Sequence, residues 1–189
     1  MTVTPAPTKH VKTGVGVIVL GFEGAAQRAF DYLITHLNLR QTVIDFQLVP
    51  LCPSTKLGQL LSEPVTHKHI GSELVAFRKQ QADFLERLDA GYRLHRSVPQ
   101  KFVVVSLAAW TDNYYSMQDD EVAVIALGHW RRQMAPPSAV EIALCMTLVT
   151  ALRLVCPSAP GSHLGTKGCL FDFNSRVSDV RLKVFNGHI

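Results

Sequence analysis

The sequence predicts an α/β protein: a small mixed, mostly parallel sheet packed with helices, with a long central helix. Three observations lead there. Short apolar runs rich in β-branched residues, GVGVIVLGF (14–22), KFVVVSLAAW (101–110) and EVAVIALGHW (121–130), have the length and composition of buried strands. Segments with apolar residues at helical spacing alternate with them, the order that builds a sheet covered by helices. The segment SAVEIALCMTLVTALRLV (138–155) is apolar nearly all round, which makes it the helix at the centre of the packing.

Taken in order, MTVTPAPTKHVKTG reads as a short disordered lead-in, so the folded unit is one domain over 14–189 preceded by 1–13. The glycines of the first strand precede it instead of following it, which excludes a dinucleotide fingerprint. Residues 25–37 form an amphipathic helix with Ala26, Phe30, Leu33, Ile34 and Leu37 on one face. TVIDFQLVP (42–50) is the next strand, alternating Val43, Asp45 and Gln47 against Ile44, Phe46 and Leu48. The proline-dotted stretch 51–71 reads as irregular. Residues 72–92 form a helix capped by Ser72 and stopped at Gly91. TDNYYSMQDD (111–120) reads as a polar aromatic loop between two strands. RRQMAPPS breaks the chain before the central helix, where Leu148 is expected in the core.

Composition narrows the function. Of 189 residues, 47% are apolar and 18% charged, the balance of a globular chain and not a disordered one. The longest apolar segment, 139–156, carries Glu141 and Arg153 and falls short of the roughly 20 residues that cross a bilayer. Net charge is +4, with scattered basic residues and no aromatic-basic stripe, so nucleic acid is not the expected partner. The cysteines are Cys52, Cys145, Cys156 and Cys169; without an export signal they read as reduced thiols in a cytoplasmic protein.

Two places could carry chemistry. SHLGTKGCLFDF (162–173) sets His163 and Cys169 across two glycines, with Asp172 beyond. The glycines could fold a thiol against an imidazole, or the pair could hold zinc; a zinc site needs three or four N or S ligands, and the stretch offers two with Asp172 as an outside third. Glu141 stands three residues after Ser138 at the start of the long helix. That spacing is a capping box, and the same carboxylate could act as a general base in a cleft beside the helix start. His129 and Trp130 close the strand before this helix, where groups project from the ends of α/β sheets. His67 and His69 read as solvent-exposed, Asp112 and Asp119 as turn formers.

The order of elements and the 163–171 stretch resemble the archaemetzincins, zinc metallopeptidases of the metzincin group. Their pattern runs H-E-x-x-H on a helix, then G-x-x-H-C-x4-C-x-M, then C-x-x-C. Here His163 matches the third zinc histidine and Cys169 one cysteine of the structural zinc site. Leu164 and Phe171 replace the neighbouring cysteine and methionine. Val140-Glu141-Ile142-Ala143-Leu144 aligns with H-E-x-x-H, keeping only the glutamate. The chain ends at Ile189, about where the C-x-x-C pair would begin, which implies a shortened chain or a lost zinc knuckle.

The resemblance implies a zincin-like fold with zinc as its cofactor. The missing histidines imply a domain without peptidase chemistry that binds a protein or peptide. Its expected cleft lies between Ser138, Glu141, His129, Trp130 and the loop bearing Lys167 and Asp172. The alternative is a zinc-dependent hydrolase with Glu141 as general base and an atypical site of His163 and Cys169.

Overall fold

A computed structural model of the chain describes residues 12–128, 130, 137–156 and 158. The elements run β1 (Thr13–Leu20), α1 (Gly24–Arg40), β2 (Ile44–Leu48), α2 (Lys56–Leu60), α3 (His67–Gly71), α4 (Leu74–Tyr92), β3 (Lys101–Ser106), β4 (Ser116–Gln118), β5 (Val122–Ala126) and α5 (Ala139–Val155). The five strands form one sheet in the order β2-β1-β3-β5-β4. All pairs are parallel except β4 with β5. The mixed, mostly parallel α/β architecture expected from the sequence is the one observed.

The chain crosses from β1 to β2 in one direction and from β2 to β3 in the other. Right-handed crossovers therefore put α1 on one face and α2 to α4 on the opposite face. Each face has its own core. Val15, Val17, Ile44, Phe46, Val103, Val105, Ala123 and Ile125 meet α1 and α5. Ile18, Phe102, Val104, Val122 and Val124 meet α2, α3 and α4. A sheet covered on both sides needs apolar residues at every position, which is why β3 and β5 read as unbroken greasy runs.

Where the structure departs from the sequence reading, short elements and local caps are responsible. The stretch 51–71, expected to be irregular, contains the two five-residue helices α2 and α3. Ser72 does not cap α4: it ends α3, its hydroxyl donating to the His69 carbonyl at 2.8 Å, and Glu73 precedes α4 without a side-chain cap. The helix does not stop at Gly91 but runs on to Tyr92 and ends there, because Arg93 takes the left-handed conformation (φ 53°). The 111–120 segment contains an edge strand, β4. Leu148 is half-buried at the margin of the core, whereas Ile142, Ala143, Met146, Val149 and Leu154 form the packed face of α5.

Candidate functional site

The start of α5 is built as its spacing predicts. Ser138 stands in extended conformation and its hydroxyl accepts the Glu141 N–H at 3.3 Å, while Glu141 Oε2 accepts the Ser138 N–H at 2.6 Å. Two of the helix's orphan donors are satisfied this way. The bonds from the Ser138 backbone and side chain hold the exposed Glu141 carboxyl below its ordinary range. One turn later Cys145 is half-buried, and burial, then the charge of Glu141, pushes its thiol up. That suits a small packing residue and makes a poor nucleophile.

The cap carries a pH prediction. A lowered folded pKa contributes stability above the unfolded value, here the ordinary 4.5, and loses it as pH falls through the folded value. Glu141→Gln keeps an acceptor but cannot titrate. Its thermal midpoint is expected to fall less than the parent's between about pH 5 and pH 3, measured by circular dichroism. Parallel curves would show that the carboxylate charge contributes nothing to the cap.

Trp130 is 7% exposed within the α1/α5 core, and its indole Nε1 donates to the Pro137 carbonyl at 3.3 Å. The end of the β5 segment is thereby fastened to the residue before the Ser138 cap, so Trp130, Ser138 and Glu141 share one corner. His129, His163, Lys167, Cys169 and Asp172 lie outside the described residues.

Among the described residues the sheet ends at β4, with no strand beyond it. Ser116, Met117 and Gln118 pair with Ile125, Val124 and Ala123. The bonds Ala126 N to Tyr115 O (2.7 Å) and Asp119 N to Val122 O (2.9 Å) fix the alternation. In an antiparallel ladder this directs the N–H and C=O groups of Ser116 and Gln118 to the outer edge.

A cluster that the sequence reading left as surface polar residues braces this strand. His67 Nδ1 lies 2.6 Å from Asp112 Oδ2, which also accepts the His67 backbone N–H at 3.0 Å. The Tyr114 ring lies against the imidazole, 4.1 Å between centroids. Burial tends to raise the Asp112 carboxyl, but hydrogen bonds from the His67 side chain and backbone and from the Tyr114 N–H, with the His67 charge, hold it lowered. Thr111 adds a backbone bond to the Val65 carbonyl at 2.9 Å. The approach to α3 is therefore tied to the β3–β4 connection. The partners are 45 residues apart in sequence, so no local pattern announces them.

No protein-family model matches the chain, and no curated protein matches its sequence. Among solved structures, the crystal structure of archaemetzincin from Methanopyrus kandleri is similar over 93% of this chain and 88% of that one, with a TM-score of 0.50 and 9% identity. The fold is zincin-like. At that identity the likeness concerns the backbone arrangement alone.

In this zincin-like domain the first turns of α5 do not present metal-binding side chains at 140 and 144. Val140 and Leu144 are half-buried and packed against the α1/α5 core. Among the described residues no three His, Cys, Asp or Glu side chains converge where an ion could sit. Those residues alone do not compose a zinc site. No helix among them is long and apolar enough to cross a membrane.

Proposed function

We propose that this zincin-like domain is a protein- or peptide-binding module, degenerate as a peptidase, that takes an extended peptide along β4. The outer edge of β4, beyond which no strand lies among the described residues, carries the reading: it turns the N–H and C=O groups of Ser116 and Gln118 toward an added strand. Main-chain bonds of this kind recognise backbone, so the partner is an extended segment of protein and its side chains supply selectivity. The packing of Val140 and Leu144 against the core supports the loss of metal chemistry. A helical histidine pair supplies two zinc ligands, and valine and leucine supply none.

Gln118→Pro tests this directly. Proline removes the N–H that faces outward and leaves the β5 side of the ladder intact, a place where edge strands tolerate it. In NMR titrations with a pool of extended decapeptides, the parent is expected to show shifts at the Ser116 and Gln118 amides. The variant is expected to bind at least about tenfold more weakly, equivalent to about 1.4 kcal/mol. Equal affinity in the folded variant would place the peptide elsewhere. Peptide cleavage lost in Glu141→Gln would favour the hydrolase reading instead.

A further inference from the structure

The opposite edge of the sheet is built quite differently. β2 pairs with β1 in parallel, and Thr13 N to Val43 O and Val49 N to Val17 O, both 3.0 Å, show that the Val43 carbonyl, the backbone groups of 45 and 47 and the Val49 N–H turn inward. Ile44, Phe46 and Leu48 then turn theirs outward, where a sixth strand would pair.

Two side chains from the end of α1 occupy that place. Asn38 Nδ2 donates to the Phe46 carbonyl at 2.7 Å, and Asn38 Oδ1 accepts the Phe46 N–H at 2.9 Å. Gln41 repeats the pattern one position earlier along the outer edge: Nε2 donates to the Ile44 carbonyl, and Oε1 accepts the Val43 and Ile44 N–H groups at 2.7 and 2.8 Å. Each carboxamide sets a donor NH2 beside an acceptor oxygen in one plane, so it can meet a backbone N–H and C=O as a neighbouring strand would. Beyond them Leu48 opens on a cavity of about 740 Å³ beside Leu88 and Leu94. One outward position remains, too little for a strand to add.

We infer that Asn38 and Gln41 act as a side-chain strand that closes β2 against pairing with a second copy of this chain. The closure has something to prevent. Leu39 (79%), Val43 (51%) and Leu48 (39%) are exposed beside this edge, and a bare apolar edge pairs with its like. Closure of β2 stands on these bonds and does not depend on peptide binding at β4.

Hydrogen exchange and sedimentation test it together. In Asn38→Ala the Phe46 amide, and in Gln41→Ala the Ile44 amide, is expected to exchange about tenfold faster than in the parent. The inward-facing amides of Asp45 and Gln47 should be unchanged. At a concentration on the order of 100 µM, the double variant is expected to sediment as dimers or larger species, and adding Val43→Lys to restore the monomer. Unchanged exchange at Ile44 and Phe46 would overturn the inference. So would a folded double variant that stays monomeric, or association that survives Val43→Lys. Where the double variant does not fold, Asn38→Asp carries the sedimentation test, since it keeps the acceptor for Phe46 N–H and lacks the donor.

Discussion

Phe102→Ala is expected to cost about 4 kcal/mol in chemical denaturation, the range for a buried aromatic ring removed from a packed core. Phe102 is fully buried and meets Phe77 edge to face, 6.2 Å between centroids at 81°. Its ring lies over Gly16 of β1, where an added Cβ would stand 2.7 Å from Cδ1 and 3.1 Å from Pro99 Cγ. Gly16→Ala alone therefore overpacks the site and is expected to cost about 1–3 kcal/mol. The double variant removes the ring that the new methyl strikes. Its loss should fall short of the sum of the single losses by about 1 kcal/mol or more. Additive losses would show that Gly16 and Phe102 do not share this space.

Gln81→Leu is expected to cost about 3 kcal/mol, although leucine is the more apolar residue. Gln81 is fully buried in α4, its Oε1 accepting the Cys52 N–H at 2.7 Å and its Nε2 donating to the Pro50 carbonyl at 2.8 Å. It anchors the chain that leaves β2. Leucine would leave the N–H of Cys52, itself 2% exposed, without a partner. For a chain of this size the loss corresponds to roughly 6–12 °C in Tm. A change under about 1 kcal/mol would mean that water or a shifted backbone replaces the side chain.

Such positions show which parts of the molecule could be read from sequence. The strands β1, β3 and β5 were legible because burial on both faces demands continuous apolar runs. α5 was legible because Ser138 and Glu141 carry their cap in a four-residue spacing. β4 was not, since three residues are too short for alternation to show and its pairing with β5 follows from the tertiary fold. Ser72 illustrates a different difficulty: one serine can serve the end of one helix or the start of the next, and here it bonds backward to His69. Gln81 and the His67–Asp112 pair were invisible for a third reason, because their partners come from distant segments. The Ser138–Glu141 cap followed from local pattern, while the strand beside which a peptide is proposed to lie did not.

The central proposal is that a zincin-like framework holds peptide without cutting it. The most direct measurement is mass spectrometry of a decapeptide pool incubated with the protein and added zinc, reading the bound and released fractions separately. The account predicts intact peptides in the bound fraction and no new fragments in the released one. Fragments that accumulate with the parent and vanish with Glu141→Gln would contradict it.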